Sequence, residues 1–286
     1  MRDDLFARRF VAAWRIMLKD YYDITEAEAA AVRVRSNYHT HVYLCEHAVG
    51  DACDYVREAV RNGLDTIGIS DHCMPSRPTG MRYLTQTTLK TLYLPLIAAA
   101  KKEYGDKIKI LSAVELEYFD GNDGYYRKLL DSLDYLVLGQ HEYCDGYAHY
   151  DSFCDYADDG RVAAYCNSVI AAVRTGMFSV LAHPDLIFYR NPEITKNVKK
   201  SFAEMIRVAA ECGVAVEFNA NGIRSHGFRY PTDLLAECCA KYNAPIVVSS
   251  DCHKPQYLCD GYVKQLRAYV VKCGLNLVET INLPVK

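Results

Sequence analysis

No two cysteines of this chain stand in a C-x-x-C pair, no basic block runs along it, no apolar stretch could span a bilayer, and no Gly/Ser/Pro-rich linker divides it. Each absence closes off a class of protein. Without C-x-x-C there is neither a zinc ribbon nor a dithiol redox motif. The twelve cysteines are scattered. Several sit among apolar residues, where a free thiol behaves as a small hydrophobe, which points to a reducing compartment and hence the cytoplasm. With 33 Lys and Arg against 36 Asp and Glu, the net charge of −3 gives no general pull toward nucleic acid or an anionic membrane. A phosphate-bearing ligand must therefore be drawn by a local site.

The apolar stretch Leu92 to Ala100 carries Pro95 and is too short to cross a membrane. The run Phe10 to Trp14 is too short for a signal core and is flanked by Arg8, Arg9, Arg15 and Lys19. With no linker, repeat or shift of composition in 286 residues, one large domain over 36–286 is expected behind an N-terminal helical extension over 1–35.

In that extension, Leu5, Phe6, Phe10, Ala13, Trp14 and Met17 are spaced to make one apolar stripe of a helix over 4–33. Thr25 and Glu28 form a capping box for a second helical start. The extension carries no candidate ligand; its expected role is packing against the main domain or a second subunit as a homodimer.

From Ser36 onward, short apolar runs alternate with amphipathic segments. The runs are 38–41, 66–70, 108–114, 135–139, 179–182, 215–218 and 246–249. Helical patterns lie at 51–62, 86–104, 124–133, 161–175, 199–212, 232–242 and 262–272. Glycines at 63, 105, 176 and 213 stand where helix C-caps would fall. Seven apolar runs each followed by a helix predict an α/β protein with a parallel sheet. A closed or nearly closed barrel is favoured over an open doubly wound sheet.

Metal-capable residues recur at the C-terminal ends of these runs. They are His39 and His41 with His47 in the following loop, Asp71-His72, Glu115 and Glu117, His141, His183-Pro184-Asp185, Glu217-Phe218-Asn219, and Asp251-Cys252-His253. Seven of the nine histidines lie on this face, with His149 and His226 left out. Any one of them could be a packed core histidine. Seven with Glu115 and Asp251 at one barrel mouth argue for a metal site, because clustered buried imidazoles and carboxylates are stable chiefly around cations.

Imidazole and carboxylate without thiolate suit zinc, iron or manganese. Nine donors are too many for one ion, so two or three divalent ions are expected, with a carboxylate bridging at least one pair. Multinuclear sites place a hydroxide between cations and clamp a phosphoryl group, which makes phosphate-ester hydrolysis the leading chemistry.

The H-T-H with its C-x-H loop (His39 to His47), S-D-H (Asp71, His72), Glu115, G-x-H (His141), A-H-P (His183) and S-D-x-H (Asp251, His253) resemble the PHP, or polymerase-and-histidinol-phosphatase, superfamily over roughly residues 36–260. The segment Glu217-Phe218-Asn219-Ala220-Asn221-Gly222-Ile223-Arg224 followed by Tyr230-Pro231 is similar to its histidinol-phosphatase branch. The resemblance implies a distorted TIM-like (β/α)7 barrel with three metal ions. Carried over, His39, His41, Glu115 and Asp251 would hold one ion. Glu115, His141 and His183 would hold a second, and His47, His72 and His253 a third. Where Asn37 stands, the family often has Asp; the strand-four loop over 141–145 also departs from the branch.

The activity implied is hydrolysis of a small phosphomonoester, with L-histidinol phosphate the leading candidate. His39, His41, Glu115, Asp251 and His253 are the expected catalytic set, supporting attack on phosphorus by a metal-bridging hydroxide. Arg224 is expected to fork onto phosphate oxygens, with Arg190 and Arg161 as weaker candidates and Asn219 in the substrate pocket. Asp185 is set either to meet a substrate amine or to cap the next turn. Tyr118, Tyr143 or Tyr230 could stack on an imidazole.

Three rivals stand beside this reading. A nuclease lacks its basic stripe here. An amidohydrolase lacks a strand-end lysine to bridge its ions. A metal-binding barrel without turnover is disfavoured by the full donor set.

Overall fold

The computed structural model describes residues 18–73, 84–146, 148–190, 193–227 and 229–285. The apolar stripe expected over 5–17 lies outside them. Among the described residues of the extension, a 3-10 turn at Tyr21–Asp23 leads to helix α1, Glu26–Ala31. The Thr25–Glu28 capping box forms as expected, each side chain meeting the other residue's backbone N–H. One helix running through to 33 does not form: Asp20 takes a left-handed φ of 65°.

The main domain alternates strand and helix. β1 (Ser36–Asn37), β2 (Thr66–Ile69), β3 (Lys109–Leu116) and β4 (Tyr135–Leu138) are followed by the hairpin β5 (Glu142–Cys144) and β6 (His149–Asp151). β7 (Val180–Leu181), β8 (Ala215–Asn219) and β9 (Ile246–Ser249) complete the set. The long helices are α2 (Ala52–Arg61), α3 (Leu94–Tyr104, entered through a π turn at Leu89–Tyr93), α4 (Asp123–Leu130), α5 (Asp159–Arg174), α6 (Lys196–Glu211), α7 (Asp233–Tyr242) and α8 (Gly261–Lys272).

Seven strands pair in parallel in the order β1-β2-β3-β4-β7-β8-β9, the nearly closed α/β barrel that the alternation predicted. The hairpin β5–β6 is an antiparallel insertion that no sequence periodicity announced. The expected first strand over 38–41 is displaced: the ladder with β2 covers only Ser36 and Asn37. Residues 38–41 instead bridge toward the last strand, through Thr40 opposite Cys252 and His41 N–H donating to Cys252 O at 3.2 Å.

Asn37 ties this seam. Its Oδ1 accepts from Ser250 N–H at 2.7 Å and from the Ser250 hydroxyl at 3.0 Å, while its Nδ2 donates to His39 O at 3.0 Å and Thr40 Oγ1 at 2.5 Å. An amide can accept on one side and donate on the other; an ionised carboxylate there would lose both donated bonds.

Two cores follow from strand alternation. One face of the strands packs on the helices. The other fills the barrel lumen with Tyr38, Leu111, Ala113, Tyr135, Val137, Val180, Ala182, Ala215 and Val247, joined by Ile281. Along the lumen side of β3 the sequence reads Leu111, Ala113, Glu115: apolar below, carboxylate at the mouth. Tyr135 reaches across the lumen to donate to Tyr38 O at 2.6 Å. Its hydroxyl sits where a Cβ on Gly68 would be, so residue 68 has room for hydrogen alone.

Candidate metal centre

All nine expected donors converge at the C-terminal mouth of the barrel. His39 and His41 follow β1 and are fully buried; Glu115 ends β3; His141, His183 and Asp251 follow β4, β7 and β9. His47, His72, Glu115, His141, His183, Asp251 and His253 line a cavity of about 410 Å³. His183 and Asp251 adopt φ of 29° and 43°, a left-handed backbone that residues with a Cβ rarely take and that functional sites tolerate when it aims a side chain.

The outward nitrogens of three imidazoles are spoken for. His39 Nδ1 lies 2.8 Å from Glu217 Oε1, His41 Nδ1 3.3 Å from Asp71 Oδ1, and His141 Nδ1 3.0 Å from Glu117 Oε1. A carboxylate accepts, so each Nδ1 carries the N–H and each Nε2 turns its lone pair inward. Those nitrogens gather on Glu115. Its Oε1 is 3.0 Å from His183 Nε2 and 3.4 Å from His141 Nε2. Its Oε2 is 3.0 Å from His72 Nδ1, 3.2 Å from His39 Nε2 and 3.5 Å from His41 Nε2.

Asp251 Oδ1 is 3.0 Å from His41 Nε2 and 3.6 Å from His39 Nε2. The two Nε2 atoms of His39 and His41 are themselves 3.1 Å apart. With Nδ1 protonated on both rings, two lone pairs face each other, which is favourable only with a proton or a cation between them.

Other donors fit the same pattern. Glu115 Oε2 and His253 Nε2 are buried without a hydrogen bond of good geometry. His47, His72 and His253 bring ligand atoms within 4.8 Å of one another, as do His39, His41 and Asp251, and His39, Glu115 and His183. A further such group is His41, Cys45 and His253, whose thiol donates to Val42 O at 3.2 Å. The donors present therefore fit divalent metal ions.

Electrostatics agree. Burial would lower the His39 pKa, but Glu217, Glu115 and Asp251 outweigh it and hold it well above the ordinary value. Burial is likewise overcome at His41, chiefly by Asp251 and Asp71, and at His141, raised to about 9 by Glu115 and Glu117. For Glu115 and Asp251, burial would raise the pKa, yet the surrounding histidines drive both well below the carboxylate range. His253 goes the other way, down to about 2, through burial and the neighbouring His41. A pocket that pulls protons onto buried imidazoles is one whose carboxylates demand positive charge.

The carboxylates that set the tautomers were visible at strand ends but had no role assigned from sequence. Glu117 is two residues from Glu115, one past the end of β3, a spacing that continues the strand's alternation and is the signal that could have found it. Glu217 does most: Oε1 faces His39, while Oε2 accepts from His183 N–H at 3.0 Å and Asn219 Nδ2 at 2.8 Å.

The expected substrate residues are placed differently. Arg224 does not line the cavity. Its Nε donates to Asp260 Oδ2 at 2.6 Å, and its two terminal nitrogens donate to Ser250 O and Tyr257 O at 3.2 Å each. A guanidinium so occupied, and only 7% exposed, clamps the β9 loop to the N-cap of α8. Arg190 donates to Phe153 O at 2.9 Å and so holds the loop after β6.

Asn219 donates to Glu217 and, at 3.1 Å, to Asp251 Oδ2, which makes it an orienting residue. Arg161 stacks over Tyr150 and bonds Tyr156 O. Asp185 does not cap the turn that follows it, Pro184–Phe188, which has no side-chain cap; it is buried and accepts from Thr232 N–H at 2.6 Å, 47 residues on, and so holds the N-cap residue of α7. Burial, only partly offset by that bond, raises its pKa to about 6. Tyr118 and Tyr143 pack in the core among Tyr126, Phe178, Tyr150 and Tyr165. Tyr230 lines the cavity, with Phe153, Asn221, Ser225, His226, Lys254 and Tyr257. His226, set aside from sequence because it ends no strand, and Phe153, behind an unforeseen hairpin, were both missed.

Comparison with known proteins agrees with this arrangement. The chain is 25% identical over 227 residues to a "Probable histidinol-phosphatase" of Deinococcus radiodurans, covering 76% of this chain and 85% of that one. A "Probable histidinol-phosphatase" of Schizosaccharomyces pombe is 26% identical over 265 residues, covering 81% and 84%. The fold matches a histidinol phosphate phosphatase from Lactococcus lactis, solved with zinc, L-histidinol and phosphate, at a TM-score of 0.67 and 17% identity, over 87% of this chain and 98% of that one. The PHP domain model matches residues 37–221, from the seam asparagine through β8 to the cavity wall, and the chain belongs to the PHP family.

Proposed function

We propose that this chain is a metal-dependent phosphomonoesterase whose substrate is L-histidinol phosphate, cleaved to L-histidinol and phosphate in histidine biosynthesis. The observation that carries the reading is the set of carboxylate-fixed imidazoles turned onto one buried carboxylate, Glu115. The two relatives named as histidinol-phosphatases, and the Lactococcus structure holding zinc, histidinol and phosphate, support the substrate.

In this reading His39, His41, Glu115 and Asp251 hold one ion, Glu115, His141 and His183 a second, and His47, His72 and His253 a third. Zinc is favoured, with iron and manganese compatible with the same donors. Ions bound there would supply a nucleophile at neutral pH and positive charge to neutralise the phosphoryl oxygens.

The chain's own residues do the rest. Glu217, Asp71 and Glu117 keep the Nδ1 protons of His39, His41 and His141 in place, so that each Nε2 stays a lone-pair donor. Asn219 holds Glu217 and Asp251 in register. Lys254 is the one Lys or Arg lining the cavity among the described residues, and it draws the anionic ester in place of Arg224. Free thiols at all twelve cysteines suit a reducing compartment such as the cytoplasm, and no helix among the described residues is long and apolar enough to cross a membrane.

The test is phosphate release over a panel of phosphomonoesters by protein whose metals have been counted by elemental analysis. Turnover led by L-histidinol phosphate is expected. No release from any ester by metal-loaded protein would overturn the assignment, and a different preferred ester, sugar or nucleotide, would overturn the substrate alone.

A further inference from the structure

The cavity has two unlike walls. One carries the metal donors; the other is a rank of rings. Phe153 stacks on His141 with centroids 6.0 Å apart and planes at 12°, so it abuts the donor cluster directly. His226 lies 5.5 Å from Phe153 and is stacked on Tyr230 at 5.7 Å and 27°. Tyr230 in turn lies 6.0 Å from His183, so the rank touches the donor cluster at both ends.

Tyr189, which does not line the cavity, braces Phe153 at 5.3 Å and His226 at 5.7 Å. Arg190 and Arg229 fasten the brace, the first by bonding Phe153 O and the second by donating to Tyr189 O at 2.7 Å and lying over its ring. Four rings from three separate loops, tied by two arginines, amount to a built surface.

Resting on the phosphatase reading, we propose that Phe153, His226 and Tyr230 form the subsite for the departing alcohol, selecting alcohols that carry a planar ring. A phosphoryl group at the donor cluster leaves its alcohol beside Phe153, the ring that contacts His141. Flat π faces there reward a flat, apolar-faced partner. A polyhydroxyl alcohol would bury its hydroxyls against ring carbons, and each unpaired hydroxyl is penalised. His226 accepts or donates no hydrogen bond among the described residues, so its ring nitrogens remain for a polar atom on the ligand's ring edge. Tyr230 is buried and fixed, His226 and Phe153 half-buried, so the wall presents its rings with little entropy left to lose.

The experiment compares kcat/KM for a ring-bearing pair, L-histidinol phosphate and 2-phenylethyl phosphate, with that for glycerol 3-phosphate. Wild type, His226→Ala and His226→Phe are measured, each with its metals counted. Wild type should favour both ring esters. His226→Ala should cut the ring-to-glycerol ratio about 10- to 100-fold, mainly through KM, the size expected for losing one fitted contact in a specificity pocket. His226→Phe, which restores a flat ring, should recover most of the preference for 2-phenylethyl phosphate. An unchanged ratio in His226→Ala, or a wild type that treats ring and glycerol esters alike, would overturn the subsite while leaving the phosphatase intact. Absence of turnover on every ester by metal-loaded wild type would instead remove the phosphatase reading, and the subsite with it.

Discussion

Replacing Gly139 by alanine is the sharpest probe of the centre, because one methyl group acts on one carboxylate. A Cβ at residue 139 would sit 2.7 Å from both Cγ and Cδ of Glu115 and closer still to its Oε1. Carbon atoms settle at about 3.5–4.0 Å, so the Glu115 head must retreat by about 1 Å. The backbone at Gly139 is outside the left-handed region, so the effect is steric and not conformational.

Glu115 has five imidazole nitrogens within 3.0–3.5 Å of its oxygens, and a retreat disturbs all of them. Displacing a metal-organising group typically costs about 10- to 100-fold in metal affinity, and a misplacement of about 1 Å about 100-fold in rate. Strain from the added methyl should lower stability by only about 1–3 kcal/mol, leaving a folded protein. Chelator competition, elemental analysis and phosphate release read the three quantities, with thermal unfolding as control. Wild-type metal affinity and turnover in Gly139→Ala would refute the placement of Glu115 at the heart of the site.

Three further outcomes follow from single contacts. Glu217→Gln keeps shape but risks presenting an NH2 to His39 Nδ1 or to His183 N–H; metal affinity should fall about 10- to 100-fold, as measured by chelator competition, with the fold retained. Arg224→Ala should lower unfolding free energy by about 2–4 kcal/mol in denaturant titration, since it strands Asp260 and two carbonyl oxygens, while KM for the ester stays near wild type. Burial would raise the Asp134 pKa, but Ser112 N–H and hydroxyl at 2.8 Å each, with Lys101, hold it below its ordinary value. The native state thus binds fewer protons than the unfolded chain. That contribution is present above the unfolded pKa of about 3.9 and disappears as pH falls through the native value, and Asp134→Asn should flatten this part of an acid unfolding curve.

Much of the molecule was legible in sequence because its signals are local or periodic. The alternation Leu111, Ala113, Glu115 is a strand with an apolar lumen and a polar mouth, whatever its partners. Asp51 and Thr25 begin helices through capping boxes that close within four residues. Helix ends were less certain: glycines 63, 176 and 213 turn left-handed past their helices as expected, but Gly105 stays at a helical φ of −65°. Nothing local foretold the hairpin Glu142–Asp151, whose short strands pair only with each other.

The residue types at the strand ends were thus set by sequence alone. One barrel mouth gathers them because parallel strands all end on one face. What each does beyond that was decided by contacts that no spacing encodes. Arg224 meets Asp260 36 residues on, Asn37 meets Ser250 across 213 residues, and Glu217 meets His39 across 178. A guanidinium or an amide binds whatever partner burial places beside it. The tautomer of His39, the closing of the seam and the pairing of Arg224 with Asp260 are therefore properties of the folded whole.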